Sequence, residues 1–122
     1  MAGAMNTLDP MIKRRDLDNG IDIWFYERGI TTNGTAMGQA IKTLEETTEL
    51  LEGINKGDDR EIRDAIGDIY VTLRGVCNVL DIEFLECVDQ AYNEIKDRRG
   101  TLGCDGIFRK NVEQQHFDFR DA

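Results

Sequence analysis

Apolar residues recur at three- and four-residue steps at Met37, Ile41, Leu44 and Leu51, with Thr48 completing the row, and predict an amphipathic helix over about residues 35–54. The stretch NKGDD at residues 55–59 breaks it. A second helix follows, with Asp58 or Asp59 as its N-cap and Ile62, Ile66, Ile69, Leu73, Val76 and Leu80 as its stripe. Between residues 65 and 80 only Asp68 and Arg74 are charged, and Val71, Thr72, Gly75 and Val79 carry the apolar character round the helix. A helix apolar nearly all round is buried nearly all round, which places Asp68 inside, where a carboxylate needs a partner. A third helix is predicted over residues 82–99 through Leu85, Val88, Tyr92 and Ile95, stopped by Gly100. Residues 1–35 read as irregular or short-helical, punctuated by Gly20, Gly29 and Gly34, with Trp24, Phe25 and Tyr26 as an aromatic cluster. Gly103 and Gly106 make a loop, GIFRK at 106–110 a short extended piece, and the last residues a tail.

The pattern predicts an all-α fold, an antiparallel helical bundle in a single domain over residues 1–122. Its core spans about 21–110, with 1–20 and 111–122 peripheral. Three amphipathic helices, one of them buried on both faces, need more cover than this chain supplies, so a homodimer is the minimum expectation.

Net charge changes the picture next. At −9, with 40% hydrophobic residues, the composition fits a soluble globular protein. No apolar run approaches the roughly 20 residues needed to cross a bilayer, and no basic segment precedes an apolar leader, so no membrane association and a cytoplasmic location are expected. An acidic chain repels a phosphate backbone, which argues against sequence-independent nucleic-acid binding. Cys77, Cys87 and Cys104 lack CxxC spacing and read as reduced core or loop residues, and His116, alone in a polar tail, is assigned no role.

The acids are concentrated. Residues 45–94 hold fourteen acids against four bases, whereas residues 96–110 hold five bases. Glu45, Glu49 and Glu52 form one helical stripe with Glu46 beside it, and Glu61, Asp64 and Asp68 repeat the device on the second helix. Like charges at this spacing destabilise a helix, and no matching row of Lys or Arg relieves them. A hard cation would, and carboxylate oxygens suit magnesium. The plainer reading, a solvated acidic face, is the one taken for Glu52, Asp58 and Asp59.

The segments LEETTELLEGI, DDREIRDAIGDIYVTL, AYNEIKDRRG and GIFRK resemble, over about residues 21–110, the MazG-type nucleoside triphosphate pyrophosphohydrolases. The resemblance implies an all-α enzyme that hydrolyses an NTP or dNTP to the monophosphate and pyrophosphate, in nucleotide-pool housecleaning. Magnesium, with Mn2+ as an alternative, would be held by an ExxE pair and a downstream ExxD pair. ExxE falls on Glu46 and Glu49. Where the family often reads ELGD, this chain reads Ala65-Ile66-Gly67-Asp68, so Asp68 matches and the Glu is replaced. Asp64, one turn before Asp68, is the favoured substitute, and Glu61 with Asp64 is the other.

The expected metal ligands are therefore Glu46, Glu49, Asp64 and Asp68, and the expected catalytic residues Glu45, Glu46 and Glu49, with Glu45 as general base. The resemblance points to Lys42, Asn93, Lys96 and Arg98 for the phosphates. Lys42 also suits an ion pair with Glu45 or Glu46, and Arg98 with Arg99 suits a helix C-terminus. Trp24 could stack on a nucleobase or cap the core. Tetramers are common in the family, so the partners expected are the nucleotide and a homodimer or homotetramer. The alternatives are a related enzyme acting on dUTP or phosphoribosyl-ATP, and a non-catalytic acidic interaction module.

Overall fold

The computed structural model describes residues 9–111, in the order α1 (Asp9–Glu27), α2 (Ile30–Asn33), α3 (Ala36–Lys56), α4 (Asp59–Leu80), α5 (Phe84–Ile95), β1 (Gly100–Leu102) and β2 (Phe108–Lys110). The tail with His116 lies outside the described residues. The chain divides into two units, one ending at Phe84 and the other beginning at Leu85. Among the described residues no helix is long and apolar enough to cross a membrane.

The first unit is built on the α3–α4 hairpin, and its ends are set by local chemistry. Thr35 caps α3 by accepting from the Gly38 N–H at 2.9 Å, and Asp58 caps α4 by accepting from the Glu61 N–H at 3.1 Å. Between the helices Gly57 takes φ 69°, a left-handed conformation that glycine adopts without steric cost. Both helices lie where the apolar pattern places them. They run antiparallel, since Gly53 abuts Ile62, Thr43 meets Thr72, and the Gln39 side chain lies beside Gly75.

At Gly53, Gly75 and the Thr43–Thr72 contact the seam between them is made by small or polar groups of one helix meeting the other. The row Met37, Ile41, Leu44 and Leu51 points elsewhere and is 50–69% exposed. Among the described residues the buried hydrophobic side chains are Phe25 and Ala65, with Thr72 the buried polar one.

Residues 9–27 form a long helix rather than the irregular segment expected. Its apolar residues form no single helical stripe, and polar bonds dock it instead. Arg74 of α4 donates from Nε and Nη2 to Asp22 at 3.1 and 2.7 Å, Asn78 donates to Asp22 at 3.1 Å, and Tyr70 donates to Asp18 at 2.7 Å. The Arg74 side chain is only 12% exposed and also stands over the Phe84 ring. Phe25 completes the docking by lying on Gly75, where a Cβ would come within 2.7 Å of the ring.

In the second unit α5 stops at Ile95, short of the predicted end at residue 99. Gly100 belongs to β1 instead, where any side chain would strike the Arg109 carbonyl across the ladder. The hairpin pairs Gly100 with Lys110, Thr101 with Arg109 and Leu102 with Phe108, so the extended reading of GIFRK is borne out. Asp105 holds the turn by pairing with Arg109 at 2.7 Å. None of the three cysteines forms a disulfide.

Candidate metal centre

Glu46 and Glu49 stand on successive positions of one face of α3, three residues apart, and Asp68 faces them from α4. Each offers an oxygen within 4.8 Å of the other two. Glu46 and Asp68 are half-buried and Glu49 is exposed, so the group is closed on the seam side and open to water on the other. Oε2 of Glu46 is buried and has no hydrogen-bond partner in the protein. A buried acceptor left unpaired is costly, and such an atom indicates a missing donor or cation.

The electrostatics agree. The Glu46 carboxyl is pushed up from 4.5 to about 7, first by a hydrogen bond with Glu49, then by burial, then by the charges of Asp68 and Glu49. Asp68 is also raised, by burial first and then by the negative charges of Asp64 and Glu49. Two carboxyls held above their usual range beside a third carboxylate, with one unsatisfied oxygen among them, form a donor set suited to a hard divalent cation.

The other expected residues are distributed unevenly. Asp64 is exposed and lies outside the three-carboxylate group, although its charge reaches Asp68. Glu61 is occupied by Lys56, 3.8 Å away, and by the start of α4. Lys42 pairs with Glu45 at 2.9 Å, and both side chains are more than half exposed. That bond and the charge of Glu45 raise the lysine pKa. Trp24 is 44% exposed on α1, edge-on to Phe25, with the Arg28 guanidinium 4.3 Å above its ring. Asn93, Lys96 and Arg98 belong to the second unit and are exposed, Asn93 donating to Asp89 at 3.4 Å.

Ala65, which stands where the motif often carries a Glu, is 1% exposed on α4. Thr43 has no part in the sequence expectations and Thr72 enters them only with the apolar face of the second helix, yet their hydroxyls meet at 2.8 Å one turn from the carboxylates. The available signal was a threonine four residues after Asp68 and another three residues before Glu46, both on the seam face.

A family model described as the MazG nucleotide pyrophosphohydrolase domain matches residues 38–102. The chain belongs to the MazG nucleotide pyrophosphohydrolase domain family. The MazG match contains all three clustered carboxylates, and the all-α architecture is the one expected of a MazG domain. The chain is also similar to the uncharacterized 18.2 kDa protein in the rep-hol intergenic region of Haemophilus phage HP1 (strain HP1c1), with 33% identity over 63 residues. Those residues are 52% of this chain and 39% of the phage protein, so the match spans about two fifths of that relative's length. No solved structure matches the chain.

Proposed function

We propose that this MazG domain is a magnesium-dependent nucleoside triphosphate pyrophosphohydrolase, converting an NTP or dNTP and water into the monophosphate and pyrophosphate. The observation that carries the reading is the Glu46–Glu49–Asp68 group with its unsatisfied buried oxygen. The chemistry needs many oxygens in one place. A polyphosphate repels an attacking water through its own charge, and magnesium, when bound, would neutralise that charge and make the water more acidic.

The roles of the chain's own residues follow. Glu46, Glu49 and Asp68 hold the cation, Asp64 adds negative charge behind Asp68, and Glu45 accepts the proton lost by the attacking water. The bond broken joins the α-phosphorus to the oxygen that leaves with pyrophosphate. Lys42 binds phosphate oxygens, exchanging its exposed pairing with Glu45 for the substrate. An exposed ion pair of this kind is screened by water and contributes little, so the exchange costs little. Trp24 offers its open face to a base.

The exposed row Met37, Ile41, Leu44 and Leu51 supports assembly into a homodimer or homotetramer. The working location is the cytoplasm and the task is removal of surplus or noncanonical nucleotides. Ala65 in place of the motif Glu favours a second reading, a family member that has lost turnover and retains only an acidic binding face.

Pyrophosphate release from a panel of canonical and modified NTPs and dNTPs, with dUTP and phosphoribosyl-ATP included, separates these readings when measured with and without magnesium. Metal-dependent release that disappears in Glu49→Gln is expected. No release from any substrate would transfer the assignment to the binding module.

A further inference from the structure

We infer that Thr43 and Thr72 are positioning residues for the metal site, their hydroxyl pair fixing α3 against α4 at the height where Glu46 meets Asp68. The inference rests on the metal-site reading above and adds to it what holds the ligands in place.

The two oxygens are 2.8 Å apart, the usual length of an O–H···O hydrogen bond. Each hydroxyl also lies near a carbonyl of its own helix: Thr43 is 3.0 Å from the Gln39 carbonyl and Thr72 is 2.9 Å from the Ile69 carbonyl. Three contacts would need three protons, and two hydroxyls have only two. If both donated to their own carbonyls, two oxygens would face each other with lone pairs alone. One threonine therefore donates across the seam while the other keeps its intrahelical bond. Either assignment retains the bond between helices, so the pair keeps its cross-link by giving up a local contact. Thr72 is 8% exposed, which keeps water from competing for the bond, and β-branching holds each hydroxyl in few rotamers.

The location gives the pair its role. Thr43 precedes Glu46 by three residues, Thr72 follows Asp68 by four, and the helices are antiparallel, so both steps run the same way along the bundle. At 1.5 Å of rise per residue the cross-link lies about 4.5–6 Å from the carboxylate layer. Glu46 and Glu49 face Asp68 there with oxygens within 4.8 Å of one another, and among the described residues no large side chain is fully buried to brace that layer. Ligand groups must be held to within about 0.5 Å to bind a cation well, and the threonine pair is the adjacent contact that does so.

The test is Mn2+ binding to the full chain, read from the electron paramagnetic resonance signal of the unbound ion, with magnesium competition. It compares wild type with Thr72→Val, Thr72→Ser, Thr43→Val, the double valine variant and Asp68→Asn. Valine keeps the shape of threonine, and the remaining hydroxyl then donates to its own carbonyl, so no buried group is orphaned. Wild type should bind and Asp68→Asn should not. Each valine variant should weaken binding about tenfold, the lower end of what changes behind the ligands cost. Thr72→Ser should restore affinity to within about twofold, and the double variant should be no weaker than either single one, as for two partners in one bond. Equal Mn2+ affinity in wild type and both valine variants, or additive losses in the double variant, would overturn the positioning role while leaving the metal site standing. Absence of Mn2+ binding in wild type would remove the site, and the positioning role with it.

Discussion

Replacing Glu46 by Gln should make the metal-free protein more stable at pH 8 while abolishing its response to magnesium. In the folded chain the Glu46 carboxyl titrates near 7 instead of 4.5. Below about pH 4.5 it is protonated whether the chain is folded or not, and the shift has no effect. Between 4.5 and 7 the folded state keeps a proton that the unfolded state has released, so stability falls as pH rises, and above 7 the full penalty applies. At about 1.4 kcal/mol per pKa unit the shift corresponds to at most about 3.5 kcal/mol. Screening at a site open to water beside Glu49 leaves about 1–2 kcal/mol.

The glutamine amide carries no charge and can donate to Glu49, so the variant escapes this penalty. Thermal unfolding in EDTA should place its Tm about 4–8 °C above wild type at pH 8, with the gap closing towards pH 4.5. Added magnesium should raise the wild-type Tm and leave the variant unmoved, because only a folded state that binds the ion is stabilised by it. A variant less stable than wild type at pH 8, or a gain independent of pH, would refute the electrostatic account.

Calorimetric titration should find one magnesium per chain, the number that three clustered carboxylates hold, and a second ion would bring Asp64 or Glu45 into the ligand set. Gly67→Ala and Gly75→Ala should move urea midpoints in opposite directions. Gly67 has open space around it and should gain about 0.5–1 kcal/mol from helix propensity, whereas a Cβ at Gly75 meets the Phe25 ring at 2.7 Å and should cost about 1–3 kcal/mol. Arg74→Ala should cost about 2–4 kcal/mol in the same assay by leaving Asp18 and Asp22 without their cation, and a loss below about 0.5 kcal/mol would show that Phe25 and the Tyr70 and Asn78 bonds hold α1 without it. Leu44→Glu should shift sedimentation velocity towards smaller species if the exposed row joins chains, and an unchanged profile would remove the row from any role in assembly.

The helical hairpin was legible because its signals are local. Thr35, Gly57 and Asp58 are capping residues that act within four positions of themselves, and they set the ends of α3 and α4 where the pattern put them. The clustering of Glu46, Glu49 and Asp68 was also legible, from spacing on each helix and from a carboxylate set in an apolar stretch. Helix α1 was hidden because its short apolar row, Leu17, Ile21 and Phe25, is blurred by Met11, Ile12, Ile23, Trp24 and Tyr26 on its other faces. It is docked through Asp18 and Asp22, whose partners Tyr70, Arg74 and Asn78 are more than fifty residues away. Gly100 misled because a glycine that ends a helix and one that admits a neighbouring strand look alike until the strand is known. The direction of the α3 stripe was illegible for a related reason. Periodicity shows that a helix has an apolar face but not that its partner in the same chain covers it.

Helix α3 thus presents two separate faces, Gln39, Thr43, Glu46 and Gly53 towards α4 and Met37, Ile41, Leu44 and Leu51 away from it. Their side chains do not interleave, so selection can alter one without disturbing the other. A lineage can exchange its exposed outer row while its carboxylates stay in register. If the outer row joins chains as proposed, chains carrying Glu49→Gln should mix freely with wild-type chains, and pyrophosphate release from such mixtures would count how many intact seams an assembly needs.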